Sequence, residues 1–319
     1  VTITVRAKES KKKAKHHITI EDIPYTSIEF AKNNPVSLES GTSHKMQLVT
    51  GPANATDHRI KWTSSNKTAA TVDENGTVTA LRPIETVTIT AVYKTNPALT
   101  CSWNLKITRT KGYITKQMLD NLDLTAIKKV MITAHPDDET LWGGGHLIEG
   151  EYLVVCMTHG WNPKRRTAFE QTMRTTNDKY LILDYPDVRK TFSNGKYETD
   201  MLSTCKNAMQ EDINLILSYK KWDLIATHNP FGEYGKFLHK TISQMVTQCY
   251  NKMTNKSATL YYFGRYYNSS NKIPGEQIAP ELLAIKNSMV DRYYPTAKGA
   301  IVAFGHMIPY ENWLLPSEW

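Results

Sequence analysis

Residues 130–142 read Val130-Met131-Ile132-Thr133-Ala134-His135-Pro136-Asp137-Asp138-Glu139-Thr140-Leu141-Trp142. A short β-prone run, Val130 to Ala134, stops at a His-Pro pair and passes into a carboxylate-rich helix start, with helix expected over Thr140 to Ile148. The rhythm continues outward from this point. Strand is expected over Leu153 to Thr158, amphipathic helix over Arg166 to Leu181, helix over Ser203 to Tyr219, strand over Asp223 to Thr227 and helix over Gly235 to Tyr250. Alternation of this kind makes a mostly parallel sheet covered by helices on both faces. Ligands bind such sheets at the carboxyl ends of the strands, which directs attention to the residues after Ala134, Thr158 and Thr227.

One imidazole and three carboxylates crowd the first of those ends. His135 and Asp138, three apart at a helix start, share a face, whereas Asp137 points elsewhere. A third ligand comes from the segment after Thr227, which runs His228-Asn229-Pro230-Phe231-Gly232-Glu233-Tyr234-Gly235-Lys236-Phe237-Leu238-His239 and carries His239 onto the following helix. Two histidines and one carboxylate are the open three-ligand set of catalytic zinc, and other divalent ions accept the same donors. Glu139 is assigned to the helix dipole or to support of the ligand residues around it, and given no catalytic role. Gly143-Gly144-Gly145 lacks the spacing of a dinucleotide loop, and no His-Glu-x-x-His occurs.

From about Val36 to Thr108 the periodicity changes to two: Val87, Ile89, Ala91 and Tyr93 alternate with Thr88, Thr90 and Val92, and Cys101, Trp103, Leu105 and Ile107 alternate with polar neighbours. This predicts a small β-sandwich with a tight hairpin at Asn75-Gly76. Val1-Thr2-Ile3-Thr4-Val5 echoes Val87-Thr88-Ile89-Thr90-Ala91, so residues 1–20 are read as a strand remnant followed by a basic linker. Of the +8 formal charge, the first fifteen residues hold six cations against Glu9 alone, leaving +3 over the remaining 304 residues. A basic segment is not a basic face, and nucleic acid is not an expected partner. The longest apolar run, Tyr152 to Met157, is far below the roughly 20 residues of a membrane span. Cys101, Cys156, Cys205 and Cys249 lack metal-binding spacing and are read as buried thiols, with three pairings open if oxidised.

Two resemblances carry the reading further. Ile60-Lys61-Trp62-Thr63-Ser64-Ser65-Asn66, then Ala70-Thr71-Val72-Asp73 and Gly76-Thr77-Val78-Thr79-Ala80, resembles the bacterial immunoglobulin-like group 2 module, although Ile84-Glu85 stands where that family has a glycine turn. Ala134-His135-Pro136-Asp137-Asp138-Glu139 looks like the LmbE and PIG-L family of zinc-dependent N-acetylglucosamine de-N-acetylases, over Lys128 to Trp319. That resemblance implies His135, Asp138 and His239 as zinc ligands, Asp137 as general base and Tyr234 as oxyanion donor. It also implies substrate contacts near Thr158-His159-Gly160 and along Arg166 to Glu170. Where the family has His-Pro-Asp-His this chain has Lys236-Phe237-Leu238-His239. Lys236 therefore replaces a histidine credited with oxyanion or leaving-group chemistry, with His306 and His228 as alternatives for that work. Trp161, after Gly160, is the preferred sugar platform, and Trp142 is read as core.

The fold class expected is thus α/β, a Rossmann-like mostly parallel sheet with helices on both faces, plus an N-terminal all-β Ig-like sandwich. The boundaries are 1–20, sandwich 21–108, linker 109–120 and hydrolase 121–319. The expected function is removal of acetyl groups from N-acetylated amino sugars or glycans with Zn²⁺ or another divalent metal. The setting is outside or on the surface of a bacterial cell, with wall contact through the sandwich. The rival readings are a surface adhesive protein whose hydrolase domain is inactive through Lys236, and an amidase of a sugar-thiol conjugate.

Overall fold

The computed structural model describes residues 2–6, 13–19, 21–187, 202, 204–254 and 256–319. It divides into two compact units, residues 1–81 with 86–106, and residues 82–85 with 107–319. Residues 7–12 of the expected linker, and Ser203 of the expected helix, lie outside the described residues.

In the first unit β1 (Thr2–Arg6) pairs antiparallel with β2 (Lys13–His17), so the part of the expected linker that holds His16 and His17 is strand. The sandwich follows with β3 (Ser27–Phe30), β4 (Ser37–Glu39), β5 (Ser43–Lys45), β6 (Leu48–Gly51), β7 (Ile60–Ser64), β8 (Ala70–Val72), β9 (Thr77–Ala80), β10 (Ile84–Tyr93) and β11 (Thr100–Thr108). Its sheets run β4-β11-β10-β7, β3-β6 and β5-β9-β8. The period-two reading holds on β10, where Val87, Ile89, Ala91 and Tyr93 are all fully buried. The β8–β9 turn differs from the expected two-residue form. Only Gly76 has positive φ (+80°), and the Asp73 side chain accepts from Asn75 N and Thr77 N, closing a four-residue loop. A Cβ on Gly76 would also lie 2.6 Å from the Trp62 ring, so glycine is required there twice over.

Beyond residues 82–85 the second unit runs from Ile107 to Trp319. Residues 109–120, expected as linker, belong to it: Tyr113 N and Ile114 N donate to Asp212, and α1 (Lys116–Asp120) follows, capped by Thr115. The parallel strands β12 (Lys129–Thr133), β13 (Tyr152–Thr158), β14 (Lys179–Tyr185), β15 (Leu224–Thr227) and β16 (Thr259–Tyr262) lie in the order β14-β13-β12-β15-β16. The chain starts in the middle and turns back on itself there. Both faces are buried, which is why β13 reads as seven consecutive buried residues. Val130, Ile132, Leu153 and Val155 pack with Leu119 of α1, Ile213 of α4 (Lys206–Tyr219) and Ile242 of α6 (Phe237–Lys252), the last preceded by the single turn α5 (Gly232–Gly235). Met131, Val154 and Cys156 pack on the other face with Leu141 of α2 (Asp138–Glu149), Phe169 of α3 (Pro163–Thr176) and Tyr293 of α7 (Pro280–Phe304).

The expected helix 166–181 is corrected by a stop signal inside it. Asn177 adopts the left-handed C-cap conformation (φ 59°), α3 ends at Thr176, and Lys179–Tyr185 is strand. The glycine triplet breaks α2: Gly143 is non-helical, Lys286 packs against Gly144, and Glu311 accepts from the amides of Gly145 and His146. Cys156, Cys205 and Cys249 are buried and Cys101 is half-buried, and no disulfide joins them. Among the described residues no helix is long and apolar enough to cross a membrane.

Candidate metal centre

Four strand ends deliver the site. The loop after β12 supplies His135, Asp137 and Asp138; His159 follows β13, Asp187 follows β14, and His228 and Glu233 follow β15, with His239 in the first turn of α6. Three of these residues sit in the left-handed half of backbone space although none is glycine: Asp137 (φ 149°), His159 (φ 66°) and Glu233 (φ 55°). Each such residue costs of order 1–3 kcal/mol and survives only where its surroundings over-determine it. At Asp137 the brace is Glu139, which accepts from Asp137 N at 3.1 Å and is itself held by Thr140 and by the buried Tyr293 hydroxyl at 2.6 Å. Of the two roles open to Glu139 from the sequence, the contacts fit the supporting one: it braces the strained turn that separates Asp137 from Asp138.

His135 Nδ1, Asp138 Oδ2 and His239 Nε2 form a nearly equilateral triangle with edges of 3.0, 3.3 and 3.3 Å, all buried. Tetrahedral bonds of 2.0–2.1 Å set ligand atoms about 3.3–3.4 Å apart, so the three expected ligands fit a divalent cation in spacing and in donor type. Their outer contacts agree. His135 Nε2 meets Asp187 Oδ1 at 3.0 Å and His239 Nδ1 meets Glu233 Oε2 at 2.5 Å, so each imidazole has a carboxylate on the nitrogen that faces away from the triangle. Glu233 and Asp187 are the residues that sequence reasoning missed.

His228 is a brace rather than an oxyanion donor. The Ala134 amide donates to its Nε2 at 2.9 Å, which requires a lone pair there, and its Nδ1 meets Glu233 at 3.1 Å. Glu233 and Asp138 favour the imidazolium, but that amide holds the ring neutral. His306, the other alternative to the lost histidine, donates from Nε2 to the Tyr267 carbonyl.

Charge within the site is sharply divided. Burial, then the Asp138 charge, pushes Asp137 up to about 7 against the pull of Arg165 and His135. Asp138 is driven the other way: burial opposes ionisation, but the His239 imidazole and the hydrogen bond from His135 hold it well below the usual carboxylate range. Burial lowers His239 to about 4. His135 is also depressed by burial, yet the Asp187 carboxylate beside it lifts it to about 9. In the cation-free protein that lift favours the protonated form of His135 at neutral pH.

The remaining expected residues divide as follows. Tyr234, partly exposed, packs against His239 at a ring separation of 5.7 Å; burial and then the charges of Asp138 and Asp137 raise its phenol, so its hydroxyl remains a donor. Lys236 is half-buried and helps His135 keep Asp187 ionised against burial. Trp161 is half-buried and stacks on His159, while Trp142 is core as expected. Arg166 donates from Nε to the Gly160 carbonyl at 2.6 Å; its neighbour Arg165 brings Nη1 to 4.0 Å from Asp137 Oδ2, with Nη2 held by the Thr296 carbonyl.

The chain is thus a bacterial Ig-like domain of group 2, matched over residues 24–102, joined to an α/β unit. It belongs to one family with uncharacterized protein L374 of Acanthamoeba polyphaga mimivirus, at 31% identity over 175 residues, half of this chain and 67% of that protein. Uncharacterized protein CA_P0160 of Clostridium acetobutylicum is 32% identical over 117 residues, 36% of this chain but 12% of its own length. Among solved structures, the conserved protein TT1542 of Thermus thermophilus aligns with a TM-score of 0.42 at 13% identity, over 60% of this chain and 96% of that one.

Proposed function

We propose that the α/β unit is a metal-dependent hydrolase that removes acetyl groups from N-acetylglucosamine-type amino sugars, carried outside or on the surface of a bacterial cell by its Ig-like domain. The observation that carries the reaction class is the buried His135–Asp138–His239 triangle beside a separately aimed Asp137. The substrate class rests on the likeness of Ala134 to Glu139 to the LmbE and PIG-L deacetylases.

His135, Asp138 and His239 would hold the cation, zinc foremost, whose chemistry when bound is Lewis-acid polarisation of a carbonyl and acidification of water. Asp137 is the base that takes the proton of the attacking water, and a group pushed to about 7 both accepts that proton and returns it to the departing amine near neutral pH. The reaction leaves acetate and a free amino sugar. Tyr234 donates to the developing oxyanion, and Lys236 adds positive charge at the rim. Arg165, rather than Arg166, is the arginine placed to orient substrate against Asp137.

The test is acetate release from a panel of N-acetylhexosamines, chitooligomers and wall fragments, with and without chelator. Release that is abolished by chelator and by His135→Ala is expected. Release from none of them would overturn the proposal.

A further inference from the structure

We propose that Glu233 is a positioning residue that fixes the tautomer of His239 and thereby keeps a lone pair aimed at the cation; the inference rests on the metal reading of the triangle above. The logic is one of donors and acceptors, and it starts at a group that cannot change state. The Ala134 peptide N–H donates to His228 Nε2 at 2.9 Å, so that nitrogen is an acceptor and the ring carries its proton on Nδ1. His228 Nδ1–H then donates to Glu233 Oε2 at 3.1 Å. The other oxygen, Oε1, accepts from Asn229 N at 3.2 Å. With a donor on each oxygen we take Glu233 as the carboxylate, which is an acceptor throughout. His239 Nδ1, 2.5 Å from Oε2, must therefore be the donor, and its Nε2 is left unprotonated toward His135 and Asp138. A backbone amide at the end of β12 in this way sets the polarity of a relay that ends on a ligand held by α6.

The backbone is built around this contact. Glu233 has φ 55° and ψ −72°, the rare γ-turn geometry that strains any residue with a side chain. Asn229 holds that turn: its Oδ1 accepts from Phe231 N and Glu233 N, and its Nδ2 donates to the carbonyls of Phe263 and Gly264. The same pattern gives the second candidate cluster, His228, Glu233 and His239, a different meaning from a second metal site. Its facing atoms are two N–H donors and one shared acceptor, which leaves no lone pair on either Nδ1 for a cation.

Glu233→Gln separates this role from simple packing. If the amide oxygen faces the histidines, its NH₂ opposes the Asn229 N–H; if the NH₂ faces them, His239 must accept on Nδ1 and carry its proton on Nε2, where the cation belongs. The experiment uses the full chain. Long-range ¹H–¹⁵N spectra of the metal-free wild type assign the His239 tautomer, and chelator competition gives the affinity of wild type and variant for Zn²⁺ alone. We expect Nδ1–H in the wild type and an affinity loss of roughly 10- to 100-fold in Glu233→Gln. A wild-type proton on Nε2, or an unchanged affinity in a folded variant, overturns the proposal. The wild-type spectrum decides even if the variant fails to fold. Because neither readout involves acetate, a protein that binds zinc through a locked His239 yet releases none would refute the deacetylase reading alone.

Discussion

Metal uptake should be a competition with one proton, and its stoichiometry follows from the uneven pKa values of the triangle. Asp138 is already ionised at any neutral pH, and His239, lowered to about 4 by burial, is already neutral. Only His135, lifted to about 9 by Asp187 against its burial, holds a proton that the cation must displace. Its raised value gives the sign: below about pH 9 His135 keeps that proton, so affinity rises with pH and levels off above it. Asp137, at about 7, adds a second proton only on the acid side of that value. Between about pH 7.5 and 8.5 one proton should leave per ion bound, and Zn²⁺ affinity should rise about tenfold, or about 1.4 kcal/mol. Chelator competition at fixed pH, corrected for ligand and metal hydrolysis, measures the slope; calorimetry in buffers of different ionisation enthalpy counts the proton. A flat profile would mean that His135 does not carry that proton. Two protons released in that window would mean that His239 is charged as well, and the charge assignment would fail.

Tyr234→Phe should bind zinc like the wild type but lose about 2.7–4 kcal/mol of transition-state stabilisation, read as a 10²- to 10³-fold fall in kcat for acetate release. Asp137→Asn should likewise keep the metal, checked by elemental analysis, while turnover falls by at least 10²-fold, the lower range for a general base. Lys286→Met strips the partner from a fully buried pair, whose Nζ lies 2.6 Å from Glu311 Oε1; urea unfolding of the metal-free chain should show a loss of about 3–5 kcal/mol. Gly76→Ala, which drives a Cβ into the Trp62 ring at positive φ, should lower the melting temperature of the Ig-like unit, followed by calorimetry.

How far the site is legible in the sequence depends on what fixes each residue. His135 and Asp138 are readable because a strand followed at once by a helix leaves few ways to place a His-x-x-Asp spacing. Asp187 is hidden by a different error, the reading of 166–181 as one helix. Asn177 is the signal that could have found it: asparagine is a common left-handed C-cap, and the run Tyr180-Leu181-Ile182-Leu183 after it suits a buried strand. With β14 restored, a carboxylate just beyond its end joins the other strand ends around one point. Arg165 and Arg166 differ only in helix phase. Adjacent residues point about 100° apart, and no spacing rule in the sequence says which of the two faces Asp137.

Glu233 marks a stricter limit, because neither periodicity nor spacing reports a γ-turn at a residue with a side chain. Its conformation is unfavourable locally and is held by Asn229, whose side chain makes four bonds to the backbone of two segments. The same holds at Asp137, where a turn no local preference would choose is braced by Glu139 and, through it, by Tyr293 from α7, 154 residues away along the chain. Local propensity fails at just these places because the conformation is dictated by groups distant in sequence, and such departures gather where a chain performs chemistry. Two of the strained residues carry the carboxylates that would move a proton and orient a ligand. The strain at Asp137 and Glu233 thus falls on the two residues whose carboxylates the proposed reaction must aim.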